Sequence, residues 1–203
     1  MVSRDSEAAP GQRVADGGSS HVPTPVKIVV AGGFGVGKTT FVGSISEIDP
    51  LRTEAAMTQA SEAFDAVNES TDKLATTVAM DFGRITLGND DLILYLFGTP
   101  GQPRFHFLWD ELVRGAIGAV VIVDTGRLAD SFSAVDYFEG RGVPFVVAVN
   151  CFHGAMTHDL DAIRQALALS ERVPMFFTDA RERSSTRDAL LTLVQHALAQ
   201  ATG

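Results

Sequence analysis

The sequence predicts an α/β domain in which helices cover both faces of a mostly parallel sheet. Three observations lead there. Short, almost wholly apolar runs rich in β-branched residues recur at 26–31 (VKIVVA), 117–123 (IGAVVIV) and 144–149 (PFVVAV). Strands apolar on both sides are buried on both sides, as in a covered parallel sheet. Stretches of helical period alternate with them, as β–α–β crossovers require. A glycine-rich segment follows the first run directly, and ligands of such sheets sit beyond the carboxyl ends of the strands.

The elements follow in order. Of residues 1–25, ten are Gly, Pro or Ser and none is aromatic; such a segment buries too little to offset its ordering entropy, so a disordered extension is expected, with one domain over 26–203. After strand 26–31, a helix is expected over 38–46, with Phe41, Val42 and Ile45 on one face. Residues 47–77 show no firm strand. Residues 78–87 read as a strand whose apolar phase changes between Phe82 and Ile85, which suggests a bulge or bend at Gly83. A turn at Gly88-Asn89-Asp90-Asp91 leads into 92–97 (LILYLF), making a hairpin. Strands follow at 117–123, 144–149 and 174–177, with helices near 129–140, 158–169 and 185–200. Leu190, Leu193, Val194, Ala197 and Leu198 line one face of the last helix, and Ser185 with Asp188 suggests its N-terminal cap.

Composition narrows the function classes. Of 203 residues, 45% are hydrophobic and 20% charged, a globular balance with material for one core. The net charge of −9 disfavours a nucleic-acid-binding face. No apolar run nears the roughly 18 residues needed to cross a bilayer, and no signal-peptide pattern opens the chain. Cys151 is the one cysteine, so no internal disulfide is expected, and no His or Cys cluster has metal-ligand spacing. A cytoplasmic protein without direct membrane insertion is the expectation; recruitment to a membrane would run through partners.

The chemistry-bearing motif is Gly32-Gly33-Phe34-Gly35-Val36-Gly37-Lys38-Thr39, a full G-x-x-x-x-G-K-[ST] between a predicted strand and a predicted helix. Glycines let backbone N–H groups close around a phosphate, and the helix N-terminus adds its dipole. Lys38 is placed to reach the β- and γ-phosphates, and the Thr39 hydroxyl to ligate Mg²⁺; Thr40 continues the site. A second station, Phe97-Gly98-Thr99-Pro100-Gly101-Gln102, comes directly after strand 92–97, and Thr77 opens the strand that carries Asp81.

With these motifs the sequence resembles the Ras-like small GTPases over residues 26–200. The resemblance implies a three-layer fold with a six-stranded sheet of order 2-3-1-4-5-6, in which only the 2–3 pair is antiparallel. Residues 97–105 (FGTPGQPRF) look like the second switch and Thr77 like the threonine of the first. Within the family, TVAMDFGR at 77–84 and YLFGTPGQ at 95–102 resemble the bacterial conservon-type GTPases, relatives of the gliding-motility switch. That implies a slow GTP-hydrolysing switch binding GTP/GDP and Mg²⁺, partnered by a roadblock-domain regulator or activating protein and a sensor-kinase-like membrane protein complex. The roles it implies are metal ligation by Thr39 and Thr77, γ-phosphate contact by the Gly101 N–H, and orientation of the attacking water by Gln102. Asn150, Phe152 and His153 would line the base together with Asp179, Ala180 and Arg181, and the Ala180 N–H would meet the base oxygen.

Three departures qualify this. The acid that opens the family's second switch is replaced by Gly98, with Asp81 or Asp124 as candidate substitutes. No arginine precedes Thr77; Arg52 and Arg104 are candidates to neutralise transition-state charge. The guanine-reading N-K-x-D is Asn150-Cys151-Phe152-His153, and an imidazole cannot form a carboxylate's bidentate pair; Phe152 and His153 would instead stack on the base. Two other readings therefore stand beside the switch: a scaffold that holds nucleotide weakly or not at all, and a P-loop small-molecule kinase, whose lid arginines Arg181, Arg183 and Arg187 come at the wrong place. Phe105, Phe107, Leu108 and Trp109 form an aromatic cluster past the second switch, about half of it core and the rest, Trp109 foremost, a candidate partner surface.

Overall fold

The structure, a computed structural model, describes residues 22–49, 51–56, 77–87, 91–151, 154, 156 and 158–202. Among the described residues seven strands form one sheet, in the spatial order β2-β3-β4-β1-β5-β6-β7. They are β1 (Thr24–Ala31), β2 (Leu51–Ala56), β3 (Thr77–Leu87), β4 (Leu92–Gly98), β5 (Ala116–Val123), β6 (Phe145–Asn150) and β7 (Met175–Thr178). Without β2, the other six have the expected order, parallel from β4 to β7 and antiparallel at β3–β4.

The added strand β2 lies at the sheet edge and runs antiparallel to β3, from Leu51↔Phe82 to Ala56↔Thr77. It makes a second antiparallel pair in a region expected to hold no strand. Its sequence, LRTEAA, has neither alternation nor β-branched density, so only backbone pairing with β3 reveals it. β1 begins at Thr24, inside the segment expected to be a disordered extension, because Thr24 and Pro25 pair with Leu92 and Ile93. Residues 88–90 of the expected turn, like residues 1–21, lie outside the described residues.

Among the described residues five α-helices cover the sheet: α1 (Lys38–Ile45), α2 (Trp109–Val113), α3 (Phe132–Arg141), α4 (Leu160–Ala166) and α5 (Arg183–Thr202). Strand alternation sorts the core into two layers. Ile28 and Val30 face Phe41, Val42 and Ile45 of α1 and Leu190 and Leu193 of α5. Val29 and Ala31 face Trp109, Phe138 of α3 and Ile163 of α4. Each large side chain so buried is worth about 1.5–3 kcal/mol, and together they pin the strand ends from which the functional loops leave.

Three local expectations are corrected. β3 passes through Gly83 without a bulge, its register to β4 unbroken; glycine is needed because a Cβ there would lie 2.6 Å from Val42 Cγ1, and Phe82 turns to the other face, onto Tyr95 and Phe97. Ser185 lies inside α5 rather than capping it, and its Oγ shares a hydrogen bond with Thr178 Oγ1 and accepts from Asp179 N. Trp109 is 1% exposed: its indole donates to Pro100 O at 3.3 Å and packs on Tyr137 and Phe138, so it is core and not a partner surface. Phe107, by contrast, is exposed.

Candidate functional site

The site is assembled at the carboxyl ends of β1, β4, β6 and β7. The segment 32–37 turns from β1 into α1, and Gly37 at its end has φ of 109°. A left-handed residue here lets the backbone curl into the helix, and a side chain would strike Asn150, whose Nδ2 would be 2.7 Å from its Cβ. α1 has no side-chain cap, so its first N–H groups are open to an anion.

Lys38 is buried at the centre. Its ammonium donates to Gly32 O at 2.9 Å and Gly33 O at 2.6 Å. Burial lowers its pKa to about 8, against a smaller upward pull from the Asp81 carboxylate. Beside it, Thr39 Oγ1 donates to Asp81 Oδ2 at 2.7 Å. Asp81 reaches there from β3 across a space left by glycine, since a Cβ on Gly98 would lie 3.0 Å from Asp81 Cβ and 3.1 Å from Oδ2. Asp124 is not part of this group: it accepts from Gly126 N and Arg127 Nε.

The segment 97–102 after β4 closes onto the phosphate loop. A Cβ on Gly101 would stand 2.7 Å from Lys38 Nζ, 2.8 Å from Gly33 O and 2.8 Å from Phe34 Cα, and Phe34 itself is 65% exposed. Gln102 is tied to Arg104, whose Nε donates to its Oε1 at 2.9 Å. Among the described residues the buried Thr99 Oγ1 has no hydrogen-bond partner. Thr77 opens β3, its backbone paired with Ala56. Thr40 is exposed at the first turn of α1.

On the other side Asn150 joins three loops. Its Nδ2 donates to Val36 O at 2.9 Å and its Oδ1 accepts from Ala180 N at 3.1 Å. The Ala180 N–H, expected to be offered to a base, is thus engaged by a side chain here. Asp179 accepts from Arg181 through N, Nε and Nη2 at 3.0, 2.9 and 2.7 Å. Cys151 packs beside them, its thiol pushed up by burial and the Asp179 charge. Phe152 and His153 lie outside the described residues.

A magnesium ion fits the pair on the phosphate side. Mg²⁺ takes hard oxygen ligands, often one or two carboxylates with water and substrate phosphates, and Thr39 with Asp81 supplies a hydroxyl and a carboxylate already in contact. Among the described residues no cluster of three His, Cys, Asp or Glu could hold a metal by itself, so phosphate oxygens would have to complete the shell. Sequence reasoning weighed Asp81 without deciding for it. It did not single out Arg127, whose guanidinium the structure brings beside Gly35 of the phosphate loop.

The fold is that of P-loop GTPase domains, with the phosphate loop between β1 and α1. Residues 30–200 match the family described as conserved hypothetical ATP binding protein, and the chain belongs to that family. An uncharacterized protein of Methanocaldococcus jannaschii is 28% identical over 127 residues, 62% of this chain and 69% of that protein. The Ras-related protein RABC2a of Arabidopsis thaliana is 28% identical over 121 residues, 59% of this chain and 48% of that protein; the chain thus spans about half of that relative. Among solved structures, the cytosolic domain of the T. maritima FeoB iron transporter in apo form superposes with a TM-score of 0.61 at 17% identity, covering 86% of this chain and 64% of that one. The FeoB G domain of Methanococcus jannaschii gives 0.56 at 13% identity, over 85% and 98%. These likenesses show the fold. Among the described residues no helix is long and apolar enough to cross a membrane.

Proposed function

We propose that this chain is a GTP-binding switch that hydrolyses GTP slowly, with Mg²⁺ as cofactor. The observation that carries it is the closure of Gly101 onto Lys38 and the phosphate loop. A polyphosphate entering the loop draws Lys38 Nζ away from Gly32 O and Gly33 O and meets the Gly101 backbone. Occupancy by a γ-phosphate is thereby coupled to the second switch.

Within this reading Lys38 holds the phosphates, and Thr39, Asp81 and Thr77 hold the metal, whose chemistry is to neutralise charge on the phosphate oxygens. Gln102 orients water once it leaves Arg104. Slow turnover follows from the missing arginine before Thr77, a group worth about 10³–10⁵ in rate where it acts. A partner, on the sequence resemblance a roadblock-domain protein working beside a sensor-kinase-like membrane protein, would supply or position what is missing. Guanine is favoured by the Ras-related relatives and by a FeoB neighbour solved in a GDP form.

An adenine-nucleotide reading is the second possibility, favoured by the description of the family and by the engagement of Ala180 N with Asn150. Titration of fluorescent GDP, GTP, ADP and ATP analogues with and without Mg²⁺, together with phosphate release, decides between them. Guanine-selective binding with slow Mg²⁺-dependent release supports the switch. Adenine selectivity overturns the base assignment, and binding without hydrolysis points to a scaffold.

A further inference from the structure

We infer that Arg127 is a second cationic ligand for the phosphates of the bound nucleotide, projected over the phosphate loop by Asp124; this rests on the nucleotide-binding reading above. Arg127 belongs to the segment that leaves the carboxyl end of β5, and β5 is the strand beside β1, with Ala31 paired to Val121. The segment therefore emerges next to residues 32–37. It touches that loop at two points. A Cβ on Gly33 would lie 2.7 Å from Asp130 Cβ, and a Cβ on Gly35 would lie 3.3 Å from Arg127 Nη2 and 3.7 Å from Nη1.

The side chain is held for this. Asp124 accepts from Gly126 N at 2.9 Å and from Arg127 N, through its carbonyl, at 3.0 Å. Its Oδ2 takes Arg127 Nε at 3.2 Å. One nitrogen of the guanidinium is thus anchored, and the two terminal nitrogens face Gly35; among the described residues neither makes a hydrogen bond. At φ −141° and ψ 50°, Arg127 also breaks the 3₁₀ geometry of Thr125–Ser131. Gly35 has φ of 74°, which a bulkier residue resists and whose side chain would fall on the guanidinium.

Stability alone does not account for the arrangement. The Arg127–Asp124 pair is partly exposed, 46% and 15% by side chain, and such pairs contribute about 0–1 kcal/mol. The segment otherwise carries two carboxylates, Asp124 and Asp130, beside a loop built for anions. Arg127 neutralises the first and makes the edge facing the loop cationic. A guanidinium with two free donors suits phosphate oxygens, which it binds in a forked geometry.

The test compares wild type with Arg127→Ala, Arg127→Lys and Asp124→Asn, reading Kd and dissociation rate of fluorescent GDP, competition by pyrophosphate, and the melting temperature without nucleotide. Arg127→Ala is expected to weaken GDP about 10–100-fold, the range of one or two lost charge-assisted bonds, and to weaken pyrophosphate equally. Arg127→Lys should recover part of that loss, Asp124→Asn should fall between, and the nucleotide-free melting temperature should hold. Equal GDP and pyrophosphate binding by wild type and Arg127→Ala overturns the inference. So does a loss matched by a fall in nucleotide-free stability and not relieved by lysine, which makes Arg127 a structural clamp. Arg127-dependent binding of pyrophosphate without binding of GDP or GTP leaves the inference standing and removes the GTP reading; a wild type that binds neither removes both.

Discussion

Asp81 and Gly98 face each other across β3 and β4, the carboxylate of one filling the space that a side chain on the other would need. Asp81 is bonded to Thr39, so it is placed to serve where the sequence resemblance would put an acid at position 98.

The exchange can be reversed. Gly98→Asp alone crowds Asp81 and should destabilise the fold by about 1–3 kcal/mol, the ordinary range for overpacking. Asp81→Gly alone should make nucleotide retention insensitive to Mg²⁺. The double variant Asp81→Gly/Gly98→Asp should regain both stability and Mg²⁺-dependent retention, read by melting and by release of fluorescent GDP after chelation. A double variant no better than the singles would show that the two positions are not equivalent.

Lys38 sets a pH dependence with two opposite limbs. Its pKa is about 8 in the folded protein, lowered chiefly by burial, and phosphate contact raises it. Nucleotide affinity should be flat below pH 8 and fall as pH rises above it, by up to about tenfold per unit. Between pH 8 and the ordinary lysine value the unfolded chain binds more protons than the folded one, so nucleotide-free stability gains with pH from this group. Titrations at several pH values, with and without nucleotide, separate the limbs; affinity that rises above pH 8 would exclude Lys38 as the titrating group.

Trp109→Ala should cost about 3–5 kcal/mol, as for large core aromatics, because Trp109 packs among Tyr137, Phe138 and His106. It is also the one tryptophan, and its N–H is tied to Pro100 beside Gly101. Intrinsic fluorescence should therefore change when nucleotide moves the second switch. A spectrum indifferent to a bound nucleotide would mean that this segment stays still.

Two glycines should respond with opposite signs. Gly83→Ala pushes a methyl into Val42 Cγ1 at 2.6 Å and should destabilise by about 1–3 kcal/mol. Gly140 lies within α3 with nothing within 4 Å of its Cβ position, so Gly140→Ala should stabilise by about 0.5–1 kcal/mol. Denaturant midpoints measure both.

Much of the fold was legible because its signals are local. The apolar runs at β1, β5 and β6 and the helical stripe of α5 are periodicities within a few residues, and the phosphate loop declares itself over eight. β2 stayed invisible because LRTEAA has no pattern of its own. Ser185 misled because a cap sequence looks the same whether or not its hydroxyl is claimed by Thr178. Trp109 misled because an aromatic cluster does not say which of its members faces inward.

By itself the sequence determined where six of the seven described strands lie along the chain and where the phosphate loop follows the first of them, since these depend on local spacing. The tertiary structure decided which groups complete the site. Asp81 reaches Thr39 across 42 residues and Asn150 reaches Val36 across 114, and Arg127 stands over Gly35 because β5 lies beside β1. Such pairings are set by sheet order and side-chain volume, and a linear pattern carries neither.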